Sequence, residues 1–225
     1  MLKTLQALFA GSCFLCRGAA SAVLCEACTS DLPRLPAPRC PRCALPSPLG
    51  AVCGRCLARP PAYDATHAAL AYEFPADALI HSLKFRGELA LAPLLGALLD
   101  EAIVSEPVTH VAAVPLSERR LRERGFNQSL EIARPMVRAT GRRLALDLLA
   151  RRRDTPAQFD LPWAERQKNV RDAFEVAGNV AGAAVAVVDD VMTTGATLDE
   201  IARALKAAGA ARVVNWVVAR TLPPQ

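Results

Sequence analysis

Ala183-Ala184-Val185-Ala186-Val187-Val188-Asp189-Asp190-Val191-Met192-Thr193-Thr194-Gly195-Ala196-Thr197 is the stretch that decides the fold. The apolar run Ala183–Val188 predicts a buried strand that ends on two adjacent carboxylates. A small, hydroxyl-rich loop follows, and then a helix over Leu198–Ala208. In an open parallel sheet, ligands bind beyond the carboxyl ends of the strands. Asp189 and Asp190 are placed there to accept hydrogen bonds from the vicinal hydroxyls of a ribose, directly or through Mg²⁺ and its waters. Thr193, Thr194, Ala196 and Thr197 supply backbone N–H groups and hydroxyls that can surround a phosphate, with the helix dipole behind them. Gly195 permits close approach of the backbone. Two acids at a strand end are by themselves an ordinary turn, and Thr197 by itself an ordinary helix cap. The conjunction of strand, acids, loop and helix is what points to a site.

The chain alternates on both sides of this stretch. Strands are predicted near Thr66–Tyr72, His110–Val114, Leu144–Leu149 and Arg212–Ala219, and helices over Ala76–Phe85, Leu89–Ile103 and Gln128–Thr140. Short apolar strands alternating with helices indicate an α/β fold, a parallel sheet covered on both faces. Between the strand ending at Leu149 and the decisive stretch lies a long polar segment, Arg151–Arg171.

All eight cysteines precede residue 57, as four C-x-x-C pairs: Cys13/Cys16, Cys25/Cys28, Cys40/Cys43 and Cys53/Cys56. Two thiolates on one tight knuckle both reach a tetrahedral zinc about 2.3 Å away, so four knuckles make two four-thiolate sites. Nearest-neighbour grouping assigns Cys13, Cys16, Cys25 and Cys28 to one zinc and Cys40, Cys43, Cys53 and Cys56 to the other; interleaved pairing also satisfies the spacing. With all four ligands from protein, no position stays open for water, and the two zinc ions are expected to be structural. Six prolines between Pro33 and Pro48 and few core residues leave this segment unable to fold on apolar burial alone, so the metal supplies folding energy. Pro60-Pro61 marks the boundary, dividing the chain into a zinc module at 1–60 and an α/β domain at 61–225.

Composition narrows the function classes. No run of 18 apolar residues occurs, which excludes a transmembrane helix and membrane insertion by one. Met1–Cys13 superficially resembles a lipoprotein signal, but Gln6 interrupts it and cleavage would take Cys13 from the metal pattern; an amphipathic helix with Leu2, Leu5, Leu8 and Phe9 on one face fits better. Reduced thiols without a signal peptide imply a cytoplasmic protein. Aromatic residues are only 5% against 52% hydrophobic, so aliphatic side chains must fill the core. The formal charge is +5, yet Pro115–Arg171 alone carries 14 Lys/Arg against 7 Asp/Glu. So concentrated a basic segment implies an anionic partner, a small-molecule phosphate or a nucleic-acid backbone.

The decisive stretch resembles the phosphoribosyl-pyrophosphate (PRPP) signature of type I phosphoribosyltransferases: two hydrophobic positions, two acids, a hydrophobe, then T-T-G-x-T. Further stretches make the chain similar to the ComF family: His81-Ser82-Leu83-Lys84-Phe85-Arg86-Gly87; Val114-Pro115-Leu116-Ser117 with Arg119, Arg122, Arg124, Gly125, Phe126, Asn127 and Gln128; Arg153 through Asn169; and the paired cysteines, which fit a double zinc-ribbon head. The resemblance implies a type I phosphoribosyltransferase-like sheet behind a zinc-ribbon module. It implies that Pro115–Arg124 is the pyrophosphate loop, with Leu116 and Ser117 offering donors and Arg119, Arg122 and Arg124 neutralising charge; Lys84 is either a second phosphate contact or a solvated helix-end lysine. Arg153, Thr155, Gln158, Arg166 and Asn169 then belong to a loop closing over PRPP. The implied chemistry is displacement of pyrophosphate from C1 of Mg²⁺-bound PRPP by a nucleophile, with Asp189 and Asp190 holding the ribose. His67, His81 and His110 look incidental to it. The resemblance also implies a link to natural competence, in which the chain contacts single-stranded DNA or a DNA-uptake helicase or translocase. Phe14 and Phe126 are the candidates for base stacking.

Overall fold

A computed structural model describes residues 11–103, 106–140, 142–152 and 172–223. The helix expected around Leu2–Phe9 and the polar segment from 153 to 171 lie outside the described residues. The elements run β1 (Gly11–Ser12), β2 (Ala19–Ala20), α1 (Glu26–Ser30), α2 (Gly54–Ala58), β3 (Ala65–Ala71), α3 (Ala76–Arg86), α4 (Leu91–Ala102), β4 (His110–Ala113), α5 (Glu118–Arg124), α6 (Gln128–Thr140), β5 (Leu149–Arg151), β6 (Phe174–Val176), β7 (Ala184–Met192), α7 (Ala196–Ala207) and β8 (Arg212–Arg220).

β3, β8, β7 and β4 form a four-stranded sheet in that order, every pair parallel. Strand residues alternate between two buried layers, as a sheet covered on both faces requires. Val185, Val187 and Val213 pack with Ile201, Ala202 and Leu205 of α7. Ala186, Val188, Val214 and Trp216 pack on the other face with Leu79 and Leu83 of α3, Leu95 and Leu99 of α4 and Ile132 of α6. Where α4 crosses α6, the backbone must come close: a Cβ added at Gly96 would lie 2.9 Å from the Ile132 carbonyl oxygen and 3.2 Å from Met136.

The cysteine-rich segment is packed onto the sheet. Cys13, Leu24 and Leu32 belong to the α3/α4/α6 layer, whereas Cys40, Cys43, Cys56 and Tyr63 belong to the α7 layer. The chain between the two cysteine clusters crosses the outer edge of β3. Leu35 N–H donates to Ala69 O at 3.2 Å and Ala71 N–H donates to Pro33 O at 2.7 Å, an antiparallel pairing that covers an otherwise open strand edge. Pro33 can serve at this edge because its part in the pairing is a carbonyl that accepts, not an N–H that donates.

Three details differ from the sequence reading. Helix α5 occupies Glu118–Arg124, where a loop was expected; the Glu118–Arg122 and Arg119–Glu123 pairs at i,i+4 spacing and the Ser117 cap support it. The strand expected near Leu144–Leu149 is only a single bridge from Leu144 to Val111; the chain pairs later, β5 with β6, antiparallel. β7 runs on past Val188 to Met192 because β8 continues beside it, while β4 stops at Ala113 opposite Val188. Gly96→Ala is expected to lower stability by about 1–3 kcal/mol through overpacking; urea denaturation measures it, and an unchanged midpoint would contradict the close α4–α6 approach.

Candidate functional site

The early end of β4 opens a crevice. Beyond Val188, β7 keeps β8 as a neighbour and has a free side, and Asp189 and Asp190 stand there. Asp189 Oδ1 accepts from Ser129 Oγ at 3.0 Å and from the Asp190 N–H at 2.9 Å. Its other carboxylate oxygen receives no hydrogen bond from the described residues. Asp190 is 3% exposed; its Oδ1 accepts from the Val191 N–H at 2.8 Å, and Lys84 Nζ lies 3.0 Å from Oδ2. That contact balances charge without good hydrogen-bond geometry, since Oδ2 is otherwise without a hydrogen-bond partner.

The two carboxyls titrate apart. Burial, and then the charge of Asp190, push Asp189 up to about 7. Burial also works against ionising Asp190, but the Lys84 ammonium outweighs it and holds that carboxyl below its ordinary range. The pair therefore loses its protons in two separated steps, with Asp190 the more acidic member.

From Met192 the chain turns into α7. Gly195 caps the helix at φ 84°, and a Cβ there would lie 2.7 Å from Met192 Cε and 3.1 Å from the Tyr63 hydroxyl, so only glycine fits. Thr194 Oγ1 accepts from the Ala196 N–H at 3.2 Å, shaping the turn. A recess of about 20 Å³ opens beside Met192 at the N-terminus of α7 and brings together the sequence-assigned Asp189, Thr193, Gly195, Ala196 and Thr197, while Asp190 and Thr194 do not line it.

Of the other assigned residues, Ser117 is buried as the cap of α5, accepting from Arg120 N–H. It lies just after Val114, which donates its N–H to Val188 O at 2.9 Å; Leu116 is half-buried beside it. Arg119 and Arg122 point to the exposed side of α5 and pair with Glu123 and Glu118. Arg124 turns inward: it bonds Gln128 and lies 5.4 Å from the Phe85 ring centre. Lys84 contacts Asp190 and not the threonine loop. Arg153, Thr155, Gln158, Arg166 and Asn169 lie outside the described residues; the segment bearing them leaves from β5 and returns to β6, where Arg151 pairs with Phe174. Phe14 and Phe126 are half-buried against the α3/α4/α6 layer; among the described residues Phe85 and Phe74 are the exposed phenylalanines, at 63% and 77%. His67 pairs with Glu106 at 3.2 Å, away from the crevice.

The cysteines resolve into two clusters, Cys13/Cys16/Cys25/Cys28 and Cys40/Cys43/Cys53/Cys56, so the pairing is between neighbouring knuckles and not interleaved. Their chemistry fits structural zinc. Backbone N–H groups of Cys25 and Cys16 pull the Cys13 thiol down to about 6. Burial raises Cys40, but N–H groups of Cys53 and Cys43 outweigh it and bring it to about 7. In the same clusters the contact with Cys25 pushes Cys28 up to about 12, and burial pushes Cys56 up as well. Four sulfurs this close cannot all ionise without a cation among them, which is what zinc provides.

Two residues that the sequence reading did not single out join these parts. Ser129 orients Asp189, and the Asn-Gln-Ser start of α6 was its only signal: Asn127 Oδ1 caps the helix, accepting from Ser129 N–H, which aims the serine at the crevice. Arg220, at the end of β8, is 1% exposed. Its Nε donates to Cys43 O at 2.9 Å and its Nη1 to Met192 O at 2.8 Å, Thr221 O at 2.9 Å and Thr193 O. One guanidinium thus ties a cysteine knuckle to the start of the threonine loop.

A double zinc ribbon domain family matches residues 4–57, and a phosphoribosyl transferase domain family matches residues 112–221. DNA utilization protein YhgH of Salmonella typhimurium is 36% identical over 94% of this chain and 98% of its own length. Competence protein F of Haemophilus influenzae is 30% identical over 92% and 96%. A solved allosteric regulatory enzyme of purine biosynthesis overlaps 56% of this chain and 25% of its own, at 28% identity and a TM-score of 0.40.

Metal analysis of freshly purified, reduced protein is expected to give two zinc ions per chain; a value near zero would sink the cluster assignment. Arg220→Met should cost about 2–4 kcal/mol, because it strands buried carbonyls without a donor. Equilibrium denaturation reads it, and a cost under 1 kcal/mol would show that the guanidinium is not the tie described.

Proposed function

The chain belongs to the ComF/YhgH family, phosphoribosyl transferase domains headed by a double zinc ribbon, and on that premise we propose that it binds PRPP with Mg²⁺ in the β7 crevice and transfers the phosphoribosyl group. The observation that carries this reading is the juxtaposition of Asp189, Asp190 and the Thr193–Thr197 turn, at the point where β7 loses β4 as a neighbour.

The turn and the α7 N-terminus would take the 5′-phosphate. Asp189, whose outer oxygen no described donor occupies, and Asp190 would take the ribose hydroxyls. The pair fits Mg²⁺ held through waters, and bound Mg²⁺ would supply charge neutralisation to the departing pyrophosphate. Ribose binding at Asp190 requires Lys84 to share or yield Oδ2, and the freed ammonium can then meet a phosphate. Leu116 and Ser117 would face the pyrophosphate with Arg124; Arg119 and Arg122, paired on the outer side of α5, would have to leave their glutamates to join it. The loop bearing Arg153, Thr155, Gln158, Arg166 and Asn169 would close the crevice and exclude water from an oxocarbenium-like transition state. A nucleophile, commonly a nitrogen, forms the new bond to C1 as the C1–O bond to pyrophosphate breaks, and the nucleophile's proton passes to solvent. The zinc module, assigned to 1–60, serves the domain at 61–225 as a structural clasp, and the chain works in the cytoplasm.

A second reading is a non-catalytic PRPP-binding adaptor that contacts single-stranded DNA or a DNA-uptake helicase or translocase. The relatives' names, DNA utilization and competence, favour it.

Calorimetric titration with PRPP and Mg²⁺ tests the site: micromolar-range binding is expected for the native chain and none for Asp190→Asn. Equal binding by both would refute the assignment. Because the folded-state pKa of Asp189 is raised to about 7, its carboxyl is still protonated in part at pH 6 and ionised by pH 8. Affinity should therefore rise over that interval, and the rise should shrink in Asp189→Asn; an identical profile in the variant would remove Asp189 from ligand binding.

A further inference from the structure

A cavity of about 300 Å³, larger than the crevice recess, lies between the threonine turn and the second cysteine cluster and shares Gly195 and Ala196 with that recess. Its wall includes Arg55 and Arg59 from α2 and its end, Arg203 and Asp199 from α7, Thr194 from the turn, and Tyr63. Asp199 adds little negative charge to the space: its Oδ2 is held by Arg203 at 2.7 Å and its Oδ1 accepts from the Ala62 N–H at 2.6 Å. Arg55 donates to the Thr194 carbonyl at 3.1 Å, and Arg59 has no ion pair among the described residues. Arg203 is taken up by Asp199 and Cys56 also lines the space, so the positive charge facing it comes chiefly from Arg55 and Arg59.

Tyr63 gives an independent sign of a ligand. It is 3% exposed, it lines the cavity, and its hydroxyl makes no hydrogen bond with any described residue. A buried tyrosine hydroxyl ordinarily finds a partner. The Tyr63 hydroxyl faces the open cavity, where water or an entering phosphate oxygen can pair with it.

We propose that this cavity is a second phosphate subsite, separate from the PRPP crevice, in which Arg55, Arg59, Arg203 and the Tyr63 hydroxyl hold a phosphate of a nucleotide, free or within a strand. Planar guanidinium forks match phosphate oxygens in pairs, and a phenol completes the set as a neutral donor. The site adjoins the crevice recess at Gly195 and Ala196, so one chain can hold a ribose phosphate and a further phosphate at once. It does not depend on phosphoribosyl transfer.

The zinc-loaded full chain is titrated with a fluorescein-labelled twelve-residue oligothymidylate, read by anisotropy at several salt concentrations, and with ADP, read by calorimetry. Native protein is compared with Arg59→Ala/Arg203→Ala and with Tyr63→Phe. If the double variant binds the oligomer about tenfold more weakly and its salt slope falls by about 0.7, the cavity holds a backbone phosphate. If affinity for ADP falls instead, it holds the phosphate of a free nucleotide. Either supports the subsite, and PRPP–Mg²⁺ affinity of the double variant should stay within about twofold of native. Unchanged affinity for both probes overturns it. Should the double variant lose zinc, Tyr63→Phe decides, since it removes one hydroxyl: a several-fold loss supports the subsite and native affinity overturns it. Native protein that binds no PRPP would end the transferase reading and leave the cavity result standing.

Discussion

Arg220 has no carboxylate partner among the described residues, and at 1% exposure it has almost no water. Burial, joined by the neighbouring Arg55 charge, lowers its hold on the proton. An unpaired charge so placed would be costly, and it persists because carbonyl oxygens of Cys43, Met192, Thr193 and Thr221 converge on it. Those carbonyls come from three regions of the chain. They meet at one cation, so the second cysteine cluster, the end of β8 and the start of the threonine turn cannot shift independently. Four thiolates around a zinc also leave that cluster net negative, and the cation beside it answers the charge.

The same logic explains the placement of the N-terminal segment. A four-stranded parallel sheet exposes an edge at β3, and the prolines and knuckles between residues 33 and 41 cover it. One cluster then packs on each face of the sheet. Each brings a small, metal-stiffened surface to a layer that has few aromatic residues to fill it. The cysteine clusters thus share the cores of the sheet's two layers.

Much of this was legible from residue pattern. The decisive strand, its acids and its turn lie where the run Ala183–Thr197 places them, because apolar continuity, charge pairing and a compulsory glycine are all local signals. Neighbouring-knuckle pairing of the cysteines followed from spacing, although spacing could not exclude interleaving. What escaped was tertiary. Arg220 reads in sequence as a charged residue ending a strand, and only the convergence of distant carbonyls gives it a role. Ser129 reads as one more helix-start hydroxyl until β7 comes alongside. Lys84 reads in sequence as a phosphate contact or a solvated helix-end lysine, and only the packing of α3 sets it against Asp190; α5 formed because two glutamates at i,i+4 spacing offered its arginines partners within one short segment.

The central claim is that the second cysteine cluster and the threonine turn form one mechanical unit through Arg220. Native-state hydrogen exchange on the zinc-loaded chain, before and after chelation, tests it most directly. Loss of zinc should speed exchange of the amides of Thr193–Thr197 together with those of the Cys40–Cys56 knuckles, while the centre of β7 at Val185–Val187 stays protected. Fast exchange confined to the knuckles, with the turn as protected as before, would contradict it.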